Sequence, residues 1–510
     1  MSKVVSKIGG KHYDWREVTA ADFILNAKLA ACLLVRKKFK PGAKVLIIAH
    51  SSYWVLLMEF ACLYAGLTVV PIYETASKRQ VKSVVDQVNP CCGFIDSVRY
   101  ESLLPKDLEV IGVQELVEST HGTRVNEKKL AERRPSNTDV AAMVWTAGMD
   151  GKRVGIEYTH EDFLKNVDTV SARLKGSGLN VDRYLSFLSF AHISPRIFLY
   201  AAISLGARVG VSPGVRHLLK DLADFKPTFI VSVPRVFDSL YAQILDSAPN
   251  HLLSLLIKWQ IHRVTIGKTS PRLTRKVKQM FGGCLEGVFS SAIKADSRLL
   301  QTFTDFGVPA FDCYTSTEFK GVISMNVPKQ NKIGTVGVPL EQFQVAVEDG
   351  EILIDGAKTG DLGAIDSDGF LSINGREKDV IILRNGRSVL PEPLQQALAT
   401  DPMIEDVLVI GENRPYLAAL ISLNNQHKRK VLDDCGLDED SIEGAVLIDR
   451  LVEKAIEKLN RLNSKDESIL KYVILEDGFA KKDEFMTGSL LLKRDAVCKF
   501  YKQLINEVLY

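Results

Sequence analysis

The sequence predicts an α/β protein with a large doubly wound body, built on parallel sheets and a small β-subdomain, followed by a small α+β domain. Two observations predict this fold. Strand-like and helix-like segments alternate from Lys44 to Cys313, and short strand-like segments separated by hairpin turns follow after about Gly334. Repeated alternation of strand and helix is typical of parallel sheets covered by helices.

The first strand–helix–strand unit lies in the most apolar stretch of the chain, Val45–Tyr73. Lys44–Ala49 and Leu67–Ile72 are rich in β-branched residues, whereas Trp54–Tyr64 has a helical pattern. This order predicts two parallel strands joined by a helix. Glu59 and other polar residues interrupt the stretch, so it lacks the roughly 20 uninterrupted apolar residues that would predict a membrane-spanning helix.

Later segments repeat the alternation and then change character. Further buried strands are predicted at Tyr184–Phe190, Arg208–Val211, Thr228–Val233, Val288–Ser290 and Ala310–Cys313, with a helix at Ile197–Leu205. Hairpin turns such as Asp349-Gly350 then separate short strands. These are predicted at Val345–Glu348, Glu351–Ile354, Gly363–Asp366, Phe370–Ile373, Val407–Ile410 and Leu417–Leu423. We therefore predict two domains, residues 1–376 and 377–510.

The composition excludes several classes of protein. The 510 residues are 46% hydrophobic and 25% charged, which is typical of a globular protein with more than one domain. A net charge of only +3, without a dense basic block, argues against nucleic-acid binding. Eight scattered cysteines without a C-x-x-C pair predict reduced thiols rather than a zinc site. The first residues contain no apolar segment, which predicts that no secretory signal is present.

Two polar segments follow predicted strands and could contact a nucleotide. Thr146–His160 follows the strand-like Ala141–Trp145, and its glycines could turn backbone amides toward an anion. Cys313–Glu318 follows a predicted buried strand, the place where ligands bind in open α/β sheets. Its Tyr could stack on a base, its Thr could bond a phosphate, and its Glu could hold Mg²⁺. Taken alone, each segment is also consistent with an ordinary turn or polar loop.

Two further segments carry polar residues near the predicted domain boundary and near the C-terminus. Thr359–Pro391 contains Asp361, whose two oxygens could accept ribose hydroxyls, and Arg376, which could bind a phosphate through two bonds. The same segment places Gly386 in a predicted turn. The alternative makes Asp361 a turn residue and Arg376 part of a surface ion pair. Phe485–Val497 alone is an apolar run closed by two cations, and a buried segment is the simpler interpretation.

The order and spacing of these four segments resemble those of the adenylate-forming superfamily, in particular its long-chain fatty acyl-CoA synthetases. The resemblance extends from about Asp14 to the C-terminus. It is carried also by VVPIYETAS (Val69–Ser77), LSFLSFAHISPRI (Leu185–Ile197), GARVGVSPG (Gly206–Gly214) and KPTFIVSVPRVFDSLY (Lys226–Tyr241).

The resemblance implies a reaction in two steps. Members of this family join a fatty carboxylate to the α-phosphate of ATP with Mg²⁺ and release pyrophosphate; a mobile C-terminal lid domain then rotates, and the CoA thiolate displaces AMP. For this chain the resemblance implies ATP, Mg²⁺ and CoA as cofactors, and fatty acid and CoA as substrates. It implies an AMP-binding and acyl-binding domain at 1–376, a lid domain at 377–510, and a cytoplasmic location with possible peripheral membrane contact.

The resemblance also implies roles for single residues. The implied catalytic residues are His192 near the acyl carboxylate, Thr317 at the α-phosphate, Glu318 as the ligand of Mg²⁺, and Arg376 at ribose or phosphate. The implied nucleotide-binding and CoA-binding residues are Thr146, Gly148, Gly151 and Lys152 in the phosphate loop, Tyr314 against adenine, Asp361 at the ribose, Lys378 at the hinge, and Gly386 on the pantetheine path.

The chain departs from the family pattern at two lysine positions. Val154 stands where the phosphate loop of the family has a lysine, and Leu491 stands where the C-terminal motif has one. Asp150, in place of a threonine, would repel a triphosphate. Candidate replacement cations are Lys152, Arg153 and Lys493. Smaller departures include Ser291 at a glycine position and Gln395 at a glutamate position.

These departures leave more than one function open on the sequence alone. The first hypothesis is an AMP-forming fatty acyl-CoA synthetase with an impaired adenylation step. The second is a pseudoenzyme that binds a nucleotide, an acyl chain or a partner without efficient chemistry. A third, narrower hypothesis keeps only the CoA half of the reaction. Release of pyrophosphate from ATP in the presence of a fatty acid distinguishes the first hypothesis from the other two.

Overall fold

The computed structural model describes residues 3–7, 15–121, 124–147, 153–215, 218–234, 236–237, 240, 271–291, 295, 297–439, 441–475, 478–479, 485 and 492–510. The chain divides into two compact units. Met1–Phe343 with Ser367–Leu371 is the N-terminal unit, and Gln344–Asp366 with Ser372–Tyr510 is the C-terminal unit. The domain boundary expected after Arg376 stays a prediction.

The N-terminal unit is a mixture of strands and helices in alternation. Its strands are β1 (Lys3–Lys7), β2 (Trp15–Thr19), β3 (Lys44–Ile48), β4 (Thr68–Ile72), β5 (Cys92–Ile95), β6 (Val110–Gly112), β7 (Val140–Ala147), β8 (Arg153–Thr159), β9 (Arg183–Ser186), β10 (Arg208–Val211), β11 (Phe229–Ser232), β12 (Gly287–Ser290), β13 (Ala310–Ser316), β14 (Gly321–Met325) and β15 (Val338–Pro339). Its helices are α1 (Ala20–Arg36), α2 (Tyr53–Tyr64), α3 (Lys78–Val88), α4 (Val113–Ser119), α5 (Glu127–Ala131), α6 (His160–Gly176), α7 (Ile193–Ser204), α8 (Leu218–Phe225), α9 (Pro271–Met280) and α10 (Ser297–Asp305).

The described part of this unit is built on two sheets, and the central strands within each sheet run parallel to one another. One has the strand order β6-β5-β3-β4-β7-β8, and the other has the order β15-β14-β13-β12-β11-β9-β10-β1-β2. Strands β9 to β13 run parallel to one another, whereas β14 pairs antiparallel with β13. This arrangement confirms the prediction of a doubly wound α/β body. No helix of the described residues is both long enough and apolar enough to cross a membrane.

The described part of the C-terminal unit contains three smaller sheets. Its strands are β16 (Val345–Glu348), β17 (Glu351–Ile354), β18 (Ala357–Ile365), β19 (Leu371–Arg376), β20 (Ile381–Ile382), β21 (Ser388–Val389), β22 (Ile404–Ile410), β23 (Leu417–Leu423) and β24 (Ile469–Leu475). The sheets have the orders β16-β17-β18-β19, β20-β21 and β22-β23-β24. Its helices are α11 (Pro391–Ala399), α12 (Asn425–Cys435), α13 (Ile442–Asn460), α14 (Arg494–Phe500) and α15 (Lys502–Leu504).

The segment between β9 and α7 differs from the sequence-based expectation. The strand was expected to reach Phe190, but it ends at Ser186, and α7 begins at Ile193 instead of Ile197. Buried aromatic and aliphatic residues between these points imitate a strand pattern. The chain instead makes a turn, because the backbone N–H of His192 donates to the carbonyl of Ser189 at 3.1 Å.

Helix α7 is fixed to α2 by a buried ion pair. Arg196 on α7 donates through Nε to Glu59 Oε1 on α2 at 2.9 Å, and Tyr200 donates its hydroxyl to the same oxygen. Glu59 and Arg196 are each only 1% exposed. Removing one member of such a pair is strongly unfavourable, since the other charge is left buried without compensation. The ion pair therefore holds α7 in place at Arg196, and His192 lies directly before the start of this helix.

Candidate active site

The carboxyl ends of five parallel strands meet at one edge of the nine-stranded sheet. Strands β9 to β13 contribute to this edge. In open α/β sheets, ligands bind outside this edge. His192 follows β9, and Thr317 and Glu318 follow β13. The structure therefore places these three predicted site residues at the same edge.

The turn that carries Thr317 and Glu318 is Ser316–Gly321, between β13 and β14. Inside the turn, the N–H of Phe319 donates to the hydroxyl of Ser316 at 3.2 Å. Tyr158 on β8 donates its hydroxyl to the carbonyl of Thr317 at 2.8 Å. Glu318 is exposed and Thr317 is partly buried. The backbone of Thr317 is thus held by the neighbouring sheet while the Glu318 side chain faces solvent.

Asn166 on α6 holds the other end of this turn. Its Nδ2 donates to the carbonyl of Lys320 at 2.7 Å, and its Oδ1 accepts from the N–H of Val322 at 3.2 Å. Gly321 lies so close that a Cβ at this position would stand 1.9 Å from Asn166 Oδ1. Asp162, one helical turn earlier on α6, forms an ion pair of 3.0 Å with Lys320. The Ser316–Gly321 turn is therefore a fixed part of the scaffold.

Tyr314 lies in β13 and is 7% exposed. The pairing of β13 with β14 shifts register between Tyr314 and Thr315. Such irregularities in a strand re-aim side chains and are frequent beside active sites. The register shift marks the point where the buried strand becomes the partly exposed turn.

His192 occupies the N-cap position of α7, but its side chain makes no capping hydrogen bond. Its imidazole meets the ring of Tyr73 edge to face, with 5.0 Å between ring centroids. Burial lowers the pKa of His192 to about 4, because a charged imidazolium would lose its hydration. At neutral pH the side chain is therefore an uncharged imidazole, which has one donor and one acceptor nitrogen.

Asp361 and Arg376 pair with each other in the C-terminal unit. Arg376 Nε lies 3.1 Å from Asp361 Oδ1, where the Asp361 side chain is 12% exposed and the Arg376 side chain is 55% exposed. Asp361 lies within β18 and not in a turn, so that part of the alternative interpretation is wrong. The ion pair itself is present. The Arg376 side chain stays more than half exposed in this pair.

Lys378 and Gly386 lie further along the C-terminal unit. Lys378 is exposed in the short helical turn Glu377–Asp379 directly after β19. Gly386 lies in the predicted turn between β20 and β21 with a φ of 79°, a conformation that favours glycine. The side-chain amide of Asn385 donates to Asp466 Oδ1 at 2.8 Å and fixes this turn.

The predicted phosphate loop lies mostly outside the described residues. Gly148, Gly151 and Lys152 belong to the part that is not described, and for Thr146 only the backbone, in β7, is described. Val154, at the lysine position of the family, lies in β8 and is 43% exposed. Its position opposite Thr146 puts it close to the start of this loop.

The second position that lacks a lysine lies near α14. Leu491 is outside the described residues. The backbone N–H of Lys493 donates to the carbonyl of Phe485 at 2.7 Å, and Lys493 caps α14. Arg494 donates through Nη1 to the carbonyl of Val409 at 2.7 Å and through Nη2 to Gln395 Oε1 at 3.3 Å. Burial lowers the pKa of Arg494. Gln395 therefore supplies a neutral acceptor to a partly desolvated cation.

Several residues that shape the site were missed from the sequence. Tyr158 and Asn166 hold the turn of Thr317 from more than 150 positions away in the chain, and no local pattern marks them. Ser291, noted only as a departure, shares a hydrogen bond of 3.0 Å with Ser194 on α7, where both are buried. Gly321 was the available signal, because a glycine within an apolar strand often marks a close approach of another group.

The residues of the N-terminal unit fit a magnesium nucleotide. Mg²⁺ is usually held in proteins by one or two carboxylates together with substrate phosphates and water. Glu318 is an exposed carboxylate on a fixed turn, and the Thr317 hydroxyl stands beside it in sequence. This donor set suits a cation that arrives with a triphosphate.

The fold is that of adenylate-forming enzymes. The structure of o-succinylbenzoate CoA synthetase (MenE) from Bacillus subtilis, in complex with ATP and magnesium ion, matches with a TM-score of 0.69 and 20% identity, covering 94% of both chains. The A domain of carboxylic acid reductase from Segniliparus rugosus matches with a TM-score of 0.76 and 15% identity, covering 97% of this chain and 87% of that one.

Residues 4–364 match the model of the AMP-binding enzyme family, and residues 378–510 match the model of the AMP-binding enzyme C-terminal domain. The chain belongs to the AMP-binding enzyme family. It is 26% identical to the long-chain-fatty-acid–CoA ligase FadD15 of Mycobacterium bovis, with 97% of this chain and 92% of the relative covered. It is 24% identical to long chain acyl-CoA synthetase 1 of Arabidopsis thaliana, with 92% and 84% covered.

The close approach of Gly321 to Asn166 gives a test of the fixed turn. Gly321→Ala is expected to lower the free energy of unfolding by about 1–3 kcal/mol, because the added methyl group overlaps the Asn166 amide. The measurement is urea unfolding followed by fluorescence. Gly176→Ala is the control, since nothing lies within 4 Å of a Cβ there. Gly321→Ala with Asn166→Ala should be less harmful than the sum of the two single changes; simple additivity would contradict the overlap.

The burial of His192 predicts a pH dependence of stability. The pKa of His192 is about 4 when folded and ~6.5 when unfolded, so the unfolded state binds the extra proton between these values. The stabilisation is complete above about pH 6.5 and is lost as the pH falls toward 4. His192→Gln should flatten unfolding free energy against pH in this window. The exposed His121, changed to Gln, is the control, and an unchanged slope in His192→Gln would refute the assignment.

Proposed function

We propose that this protein is an AMP-forming long-chain fatty acid–CoA ligase whose adenylation step is slow. In the first step, a carboxylate oxygen of the fatty acid forms a bond to the α-phosphorus of ATP, and pyrophosphate leaves. In the second step, the CoA thiolate attacks the acyl carbon and AMP leaves. Adenylate-forming acyl-CoA ligases use ATP, Mg²⁺ and CoA. The curated relatives, which match this chain over nearly its whole length, are a long-chain-fatty-acid–CoA ligase and a long chain acyl-CoA synthetase.

The observation that carries this proposal is the fixed turn at the carboxyl edge of the sheet. Thr317 and Glu318 stand on a turn held from β8 and from α6. Phosphoryl transfer depends mainly on positioning and on charge stabilisation, because the protein does little covalent chemistry itself. A turn that cannot relax is suited to this task. We assign Thr317 to the α-phosphate and Glu318 to Mg²⁺.

The other predicted residues complete the assignment within each unit. In the N-terminal unit, we assign neutral His192 to the acyl carboxylate and Tyr314 to the adenine. In the C-terminal unit, we assign Asp361 to the ribose hydroxyls and Arg376 to ribose or phosphate; the two side chains form an ion pair. We assign Lys378 to the hinge of a lid domain at 377–510, and Gly386 to the pantetheine path. Thr146, Gly148, Gly151 and Lys152 are assigned to the phosphate loop.

We also propose a cytoplasmic location with peripheral contact to a membrane. All eight cysteines are free thiols, which suits a reducing compartment. Long-chain fatty acids partition into bilayers, and an enzyme that uses them gains from contact with the surface of the bilayer. Fractionation of cells that express the tagged protein, with a salt wash of the membrane fraction, tests both parts.

The proposed function is tested by measuring both half-reactions on one preparation. Purified protein with ATP, Mg²⁺ and a C16 fatty acid should release pyrophosphate, and addition of CoA should yield the acyl thioester. Omission of fatty acid and Glu318→Ala are the controls. Thioester formation only from supplied acyl-AMP would favour the narrower CoA-only function. Absence of turnover, together with no calorimetric binding of a non-hydrolysable acyl-AMP analogue, would leave a pseudoenzyme.

The missing lysines predict that adenylation can be accelerated. Val154→Lys is expected to raise pyrophosphate release, because a cation near the phosphates stabilises the charge that develops on them. A placed group of this kind is worth ~10²–10³ in rate, and Leu491→Lys should add to the effect. Val446→Lys is the matched control, since Val446 is 47% exposed, compared with 43% for Val154, and lies in the other unit. An equal response to Val446→Lys would reject the placement of Val154 beside the phosphates.

A further inference from the structure

The turn before α7 meets the residues that follow β4. Tyr73 and Glu74 come directly after β4 in the six-stranded sheet, and Ser189–His192 lies after β9 in the nine-stranded sheet. β4 and β9 each run parallel to neighbouring strands, so each segment lies at the carboxyl edge of its own sheet. The two segments contact each other at two points, and these contacts join the two sheets of the N-terminal unit.

The first contact is between two rings. The Tyr73 ring and the His192 imidazole are 5.0 Å apart at 82°. Edge-to-face packing is a favourable arrangement of aromatic rings. The His192 side chain makes no capping bond with α7, and among the described residues this ring contact restrains the imidazole.

The second contact is made by Glu74. The Ser189 hydroxyl donates to Glu74 Oε2 at 3.2 Å and accepts from the N–H of Ala191 at 3.4 Å. The N–H of His192 donates to the carbonyl of Ser189 at 3.1 Å. These bonds close the four-residue turn on itself and fasten its first residue to Glu74. The backbone position of His192 follows from this turn.

The charge of Glu74 also acts on His50, which suggests an electrostatic role for Glu74 instead of a positioning role. His50 lies 3.0 Å from Asp96 and 2.7 Å from Arg99 Nη2. The hydrogen bond to Asp96 raises the pKa of His50, and the charge of Glu74 contributes only after that of Asp96. The electrostatic effect of Glu74 on His50 is therefore secondary, whereas its hydrogen bond to Ser189 is direct.

We propose that Glu74 is a positioning residue for His192. By holding the Ser189 hydroxyl, Glu74 sets the turn that carries the imidazole, while Tyr73 restricts the ring. The inference rests on the proposed function, in which His192 faces the acyl carboxylate, and it adds a residue from the other sheet to the control of that contact. An acceptor oxygen at position 74 is the property that matters; its charge is not.

The proposal is tested by kinetics with two substitutions at one position. Glu74→Ala should lower kcat/KM for the fatty acid by about tenfold to a hundredfold, with KM for ATP unchanged, because small misplacements of a positioned group are costly to rate. Glu74→Gln should retain most activity, since its amide oxygen still accepts the Ser189 proton. Ser189→Ala should match Glu74→Ala, and the double variant should be no worse than either. Glu132→Ala, at an exposed glutamate, is the matched control.

The dependence on His192 is decisive. In a His192→Gln background, Glu74→Ala should have no further effect on kcat/KM, because the group that Glu74 positions is gone. A full additional loss in that background would overturn the proposal, as would a Glu74→Gln variant as poor as Glu74→Ala. Thermal midpoints of all variants separate these outcomes from loss of folding.

A second measurement tests the positioning role of Glu74 independently of the proposed ligase function. Histidine labelled with ¹³C and ¹⁵N in the ring gives signals that His192→Gln assigns. Glu74→Ala should shift the His192 ring signals and Glu74→Gln should leave them in place, whether or not the protein turns over substrate. Unchanged ring signals in Glu74→Ala would refute the positioning role. Absence of pyrophosphate release by the unaltered protein would refute only the ligase assignment.

Discussion

Position 321 needs a glycine, because the side-chain amide of Asn166 lies where a Cβ would be. This close approach lets one asparagine bond the chain on both sides of the glycine, and so fixes the Ser316–Gly321 turn to α6. The hydroxyl of Tyr158 holds the same turn from β8, which belongs to the other sheet. The location of Thr317 and Glu318, on which the proposed nucleotide site is built, depends on these contacts of the hairpin with α6 and β8.

The sequence was a good guide wherever local pattern decides structure. The strands Val345–Glu348 and Leu417–Leu423 were predicted with the bounds that the structure shows, because alternating or continuous apolar residues end there at turn-forming residues. The start of α7 was misjudged, because the buried apolar residues before it suit a strand as well as a turn. Asn166 could not be found at all: its partner Lys320 is 154 residues away, and such pairings carry no local signal.

Two arginines of the C-terminal unit differ in how completely their charges are matched. Arg376 pairs with the carboxylate of Asp361, whereas Arg494 donates to the amide oxygen of Gln395 and to a backbone carbonyl. A neutral acceptor can orient a guanidinium but does not compensate its charge, and burial lowers the pKa of Arg494 accordingly. The C-terminal segment around Arg494 is thus held by hydrogen bonds to neutral acceptors more than by ion pairs among the described residues. This segment follows Leu491, the position where the family pattern has a lysine.

The neutral state of His192 has a consequence for how substrates are attracted. An uncharged imidazole can bond a carboxylate but exerts no long-range pull on it, so its contribution should hardly change with ionic strength. Exposed cations such as Arg376, which we assign to ribose or phosphate, act differently, because exposed charges are screened beyond about 8 Å at physiological salt. On the proposed assignment of Arg376 and His192, raising the salt concentration should therefore weaken binding of the nucleotide more than binding of the acyl carboxylate. The two substrates would be bound by forces that respond to different properties of the solvent.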